Sequence, residues 1–121
     1  MNYVLWSAQV LLALLFALAG VMKSTRPVEE LAKRMAWVNA VSPATVRFIG
    51  LSELAGAIGL VAPWATHIAP MLTPLAAAGL VAIMVLAAIF HARRAEWGGI
   101  VPNVVLGALA AFVAWGRFHG A

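Results

Sequence analysis

The chain has 121 residues, 64% of them hydrophobic and only 10% charged, with eight basic and four acidic side chains for a formal net charge of +4. A soluble domain carries about 25% charged residues, so most soluble single-domain enzymes are excluded, and a mean hydropathy of +0.98 makes lipid the solvent. The absence of cysteine excludes a disulfide scaffold, a thiolate metal site, a Cys nucleophile and an iron–sulfur cluster. The bases form no patch interleaved with aromatics, so no nucleic acid is expected as a partner.

Tyr3 to Met22 is the first apolar run, long enough as a helix to cross roughly 30 Å of hydrocarbon. Ala17-Leu18-Ala19 has the look of a signal-cleavage site, but no basic residue precedes the run, so it is read as a retained span. Pro27 to Val41 reads as a short amphipathic helix. Pro27 suits a first turn, Glu29 and Glu30 sit at the positive dipole end, and Lys33 and Arg34 follow each of them four residues on. Val28, Leu31, Met35 and Val38 form its apolar stripe, so it is expected to lie in the membrane interface, with docking of a partner as the alternative. Further apolar runs cover 45–65, 68–90 and 100–118. Pro70 and Pro74 stand at the start of the third and Pro102 at the start of the fourth, where a missing amide costs little. The expected fold is therefore one all-α domain over 1–121, an antiparallel bundle of four transmembrane helices with a short interfacial helix between the first two.

Charge sets the expected orientation. Lys23, Arg26, Lys33, Arg34, Arg47, Arg93 and Arg94 lie in or beside two loops on one side, against Arg117 alone on the other. The positive-inside rule makes the two basic loops cytoplasmic and leaves both termini outside. Trp6, Trp64 and Trp115 fall toward one interface and Trp37 and Trp97 toward the other, as an aromatic belt would.

Glu53 is the most informative residue, because an ionised acid near the centre of a span costs roughly 2.5–3.5 kcal/mol on insertion scales. Either a base or amide contacts it, or desolvation keeps it protonated. Gly50, Gly56 and Ala57 share its surroundings on the helix and permit close packing, so Glu53 is expected to point inward. Its candidate partners are Gln9, Lys23, His91 and Asn103, whereas Arg47 lies on the wrong side of the same helix. Two roles stay open: a buried polar cluster that binds a ligand or handles a proton, or a polar contact that only holds helices in register.

His91 ends the third span and is followed by Arg93, Arg94 and Glu96. A metal site fails on spacing, since His and Glu five apart do not share a helix face and no third ligand stands nearby. Haem ligation by His91 with Met84 is disfavoured by the same count. Contact of His91, Arg93, Arg94 and Glu96 with a quinone, a lipid headgroup or a partner remains, beside a plain topology anchor. No catalytic motif is present: there is no phosphate-cradling glycine loop, no nucleophile elbow and no aspartate.

Several blocks carry a family resemblance. They are Leu12-Ala13-Leu14-Leu15-Phe16 with Gly20 and Lys23, Arg47-Phe48-Ile49-Gly50-Leu51-Ser52-Glu53-Leu54, Gly59-Leu60 before Pro63, Leu72-Thr73-Pro74-Leu75-Ala76-Ala77, Met84, His91-Ala92-Arg93-Arg94-Ala95-Glu96 and Asn103. In that order they resemble the DoxX-like family of small bacterial membrane proteins. The resemblance implies a multi-pass protein of the bacterial plasma (inner) membrane. The family takes its name from likeness to the membrane subunit of an archaeal thiosulfate:quinone oxidoreductase. One mycobacterial relative is associated with a membrane redox complex of a superoxide dismutase and a sulfurtransferase, and distant eukaryotic relatives look like membrane-protein chaperones or cargo receptors. With no cysteine, this chain would serve redox chemistry by binding a quinone or by organising redox-complex subunits. The leading expectation is a non-catalytic protein that binds a hydrophobic small molecule, quinone or lipid, or a membrane partner through Gln9, Lys23, Glu53, His91 and Asn103. The alternatives are a proton-coupled solute transporter acting as a homo-oligomer and a chaperone or assembly factor for membrane proteins.

Overall fold

The computed structural model describes residues 1–33 and 35–119. It contains α1 (Asn2–Thr25), α2 (Val28–Ala32), a 3₁₀ turn (Ala36–Ala40), α3 (Pro43–Thr66), α4 (Leu72–Arg93) and α5 (Trp97–Phe118). The four long helices are each long and apolar enough to cross a bilayer. Successive long helices run antiparallel, with α1 packed on α3, α3 on α4, α4 on α5, and α5 closing the ring on α1. The chain is a multi-pass membrane protein.

Lipid tails are as apolar as leucine, so packing contacts rather than escape from water hold such helices together. Leu12, Phe16, Leu60, Leu80 and Val113 fill the bundle axis and are at most 1% exposed. Glycines set the closest approach between α1 and α3. A Cβ on Gly20 would stand 2.7 Å from the Gly50 carbonyl oxygen, and one on Gly50 would stand 2.7 Å from Cβ of Lys23. These contacts bring the basic end of α1 against the face of α3 that carries Glu53.

α1 and α3 extend past their apolar runs at both ends and α5 starts early at Trp97, but α4 begins only at Leu72 and not at 68, because His67 and Ala69 take left-handed φ of 59° and 50° in the turn before it. Ser42 caps α3, its Oγ accepting from the Thr45 amide at 3.2 Å, and Pro43 opens the first turn. Pro63 lies inside α3 and, lacking an N–H, leaves the Gly59 carbonyl without its helical donor. Thr73 Oγ1 of α4 supplies that donor at 2.9 Å, which ties the two helices at the point where the ladder breaks.

The segment after α1 departs from expectation. It is not one amphipathic helix from Pro27 to Val41: α2 ends at Ala32, and Met35 is extended with φ −130° and ψ 90° before the 3₁₀ turn begins. The tight α1–α3 contact explains the break, because the connection must return to a helix adjacent to the one it leaves, and a straight helix of that length would carry it roughly 20 Å away. The apolar stripe survives the break. Leu31 and Val38 are each 1% exposed and pack with Val46, flanked by Val28 and Met35. Among the described residues Glu30 pairs with Arg26 at 2.9 Å, and no ion pair joins Glu29 to Lys33. The expected partner Arg34 lies outside the described residues.

Candidate functional site

Polar side chains inside the bundle gather at two ends. At the end shared with the basic loops, Lys23 Nζ donates to Glu53 Oε1 at 2.8 Å. The carboxylate side chain is only 3% exposed and the lysine 14%. Helical side chains slope toward the N-terminus, so Lys23, in the last turn of α1, runs its stem into the membrane and meets Glu53 deeper in the bundle. Its ammonium also sits 5.4 Å from the ring centre of Trp37, which the 3₁₀ turn delivers. Arg47 stays off the pair and donates instead to the Lys23 carbonyl oxygen at 2.9 Å, capping the end of α1.

This ion pair forms one wall of a cavity of about 400 Å³. His91 from α4, Asn103 from α5 and Trp37 complete its polar and aromatic lining, and Met84 and Phe90 add apolar surface. Asn103 Nδ2 is buried and has no hydrogen-bond partner. Leaving a buried amide donor unsatisfied costs roughly 1–3 kcal/mol, a cost that an acceptor in the cavity would remove. Phe48 of α3 and Leu86 of α4, 71% and 67% exposed, stand at the lipid-facing lip.

His91 and Glu96 meet although five residues separate them. The helix stops at Arg93, Ala95 takes a left-handed φ of 55°, and the Glu96 amide returns to the His91 carbonyl at 2.8 Å while that of Ala95 reaches Ala92 at 3.1 Å. These two bonds make a Schellman ending with alanine where glycine is usual. Glu96 Oε1 then lies 3.1 Å from His91 Nδ1 and accepts from Arg94 Nε at 2.9 Å. Residues five apart do not meet on a continuous helix, and the left-handed turn at Ala95 is what brings these two together. Desolvation works to raise the Glu96 carboxyl, but hydrogen bonds from His91 and Arg94, with the charge of Arg94, outweigh it and hold the group below the usual glutamate range. Arg94 also stacks over Phe90 at 5.5 Å, so it serves the turn, while Arg93 is exposed.

Gln9 lies elsewhere. Fourteen residues separate it from Lys23 on α1, roughly 21 Å along the axis. Its Nε2 donates to the Leu60 carbonyl at 2.6 Å, and its Oε1 accepts from Arg117 Nε at 2.7 Å. Arg117, 2% exposed, also donates to Asn2 Oδ1 at 2.9 Å and lies between Trp6 and Trp64, 5.5 and 4.6 Å from their ring centres. Of the five polar residues expected around one site, the fold gathers Lys23, Glu53, His91 and Asn103 and assigns Gln9 to this second cluster. Sequence reasoning missed Trp37, read as a belt residue, and Arg117, read as a topology charge. The i, i+7, i+11 and i+14 spacing of Asn103, Ala110, Ala114 and Arg117 was the available signal for the latter.

No curated protein and no solved structure shows significant similarity to the chain. A family model described as the DoxX-like family matches residues 7–113, and the chain belongs to that family.

Proposed function

We propose that this protein holds a neutral amphiphile of quinone type, drawn from the membrane, in the cavity between Lys23–Glu53 and Asn103, and that it serves a membrane redox or stress-defence assembly in this way. The observation that carries the reading is the buried, unsatisfied Asn103 Nδ2 on the wall of a cavity where Lys23 and Glu53 are already paired with each other. A carbonyl oxygen would satisfy that donor. Ligand pockets run about 300–1,000 Å³, and about 400 Å³ suits a single ring. Trp37, Phe90 and His91 offer aromatic edges and faces to a planar head, Trp37 standing edge-on to Phe90 at 6.5 Å and Phe90 to His91 at 6.1 Å. The charge of Lys23 is matched by Glu53, so a phosphate head would meet a carboxylate with no base left over. With no thiol of its own, the chain contributes a site and leaves electron transfer to partners.

We further infer that the cavity opens on the cytoplasmic half of a bacterial inner membrane, because the basic residues cluster at that end. Native mass spectrometry from nanodiscs doped with a substituted benzoquinone tests the binding reading. The expected result is a quinone adduct on the wild type that is lost in Asn103→Leu and in Glu53→Gln, with helix content unchanged. A wild type without the adduct, or variants that retain it, would overturn the reading, and a lipid-mass adduct in its place would assign the cavity to lipid.

A further inference from the structure

Beside the cavity, a trough of about 530 Å³ runs along the lipid face of the α3–α4 seam. Its floor is made by small residues, because α3 and α4 touch there through glycine: a Cβ on Gly56 would stand 2.7 Å from Leu80 Cδ2, and one on Gly59 would stand 2.7 Å from Cβ of Ala76. The lining is almost wholly apolar and continues from Ile83 to Leu72 on α4, roughly 16 Å along the helix. Ile83 lines both the trough and the polar cavity, so the two are continuous across one side chain. The cavity lip at Phe48 and Leu86 faces the same seam. One end therefore offers hydrogen bonds and aromatic rings, and the other offers only a narrow hydrocarbon slot that leads away from the basic loops.

Resting on the reading of the cavity as a ligand site, we propose that the ligand carries a single long apolar chain, which lies in the α3–α4 trough while its ring occupies the cavity. The molecule would enter sideways from the bilayer past Phe48 and Leu86, without passing through water. Specificity then has two parts: Asn103 and the aromatic walls read the head, and the trough reads the presence of a chain. A tail moving from lipid into the trough leaves one hydrocarbon environment for another, so the gain is confined to packing contacts. The discriminating readout is accordingly where the tail lies.

Gly79 makes the test specific. It lines the trough, and a Cβ added there meets nothing within 4 Å, so a larger side chain blocks the slot without disturbing the helices. Gly98 is equally open and lies outside the trough, which makes it the control. The probe is a decyl benzoquinone with a diazirine at the tail end, photolysed on the full chain in nanodiscs and mapped by peptide mass spectrometry. Excess tail-less quinone serves as competitor. Labels on Pro63, Leu72 and Leu75 that are displaced by the competitor, lost in Gly79→Leu and kept in Gly98→Leu support the proposal. Competitor-sensitive labels outside the trough, or trough labels unchanged in Gly79→Leu, overturn it and leave the head site standing. Labels scattered over all lipid-facing helices and insensitive to competitor overturn both readings together.

Discussion

A lysine near the end of a membrane helix ordinarily extends toward the interface so that its ammonium reaches water. Lys23 does the reverse, because its place in the last turn of α1 makes the inward direction the natural slope of its side chain, and Glu53 waits there at 2.8 Å. The pair is worth little as net stabilisation but a great deal if halved, since removal of one partner strands a buried charge. Lys23→Met is expected to destabilise the protein by roughly 2.5–3.5 kcal/mol, the insertion cost of an uncompensated charge at mid-helix. Adding Glu53→Gln to that variant is expected to recover most of the loss. Steric-trap unfolding in bicelles measures both, and equal instability of the single and double variants would show that the pair is not the cause. How far this was legible is plain from the same residues. Glu53 declared itself by cost alone and Lys23 by helical offset, but the choice among Lys23, His91, Asn103 and Gln9 needed the Gly20–Gly50 contact, which fixes the relative height of α1 and α3.

Among the elements, the α4–α5 connection shows most clearly how a local turn remakes a site. Ala95 in the left-handed region folds Glu96 back over His91, so a carboxylate beyond the helix end orients a ring that lines the cavity. The composition hid this, because such an ending ordinarily carries glycine at the left-handed position. The Glu96 carboxyl has a folded pKa below its ordinary value, so its clamp contributes stability above that ordinary value and loses it as pH falls through the lowered one. The protection factors of the Ala95 and Glu96 amides, the intrinsic exchange rate at each pH divided by the observed rate, are accordingly expected to stay high at neutral pH and to fall under acid conditions below the usual glutamate range. In Glu96→Gln that acid-dependent loss of protection should vanish, and a wild type with constant protection factors across that range would disprove the clamp. The connector between α1 and α3 teaches the complementary point. Its apolar stripe was readable from spacing, while its break at Met35 follows from the short return path that tight helix packing imposes.

At the scale of the whole molecule, four antiparallel spans with basic loops at one end place both termini on the opposite side. Because the chain has no cysteine, single cysteines report sidedness without background. An impermeant maleimide on intact cells is expected to label His119→Cys at once and Glu29→Cys only after permeabilisation. The opposite pattern would invert the orientation and move the cavity to the outer leaflet. Arg117 does not weaken this charge argument although it is buried, since it is satisfied within the bundle by Asn2, Gln9 and two tryptophan faces.

The sequence by itself determined the solvent, the four spans and the presence of a mid-membrane acid that had to be answered. These follow from hydropathy and length, which are sums over local residues and do not depend on how helices meet. Only the tertiary structure decided that Gln9 joins Arg117 at the far end, that Trp37 covers Lys23, that Thr73 restores the carbonyl freed by Pro63, and that Glu96 returns to His91. Each of these depends on the height of one helix against another or on the turn at a helix end. Such relations are set by a few glycine contacts and one left-handed alanine, and no periodicity along a single helix encodes them.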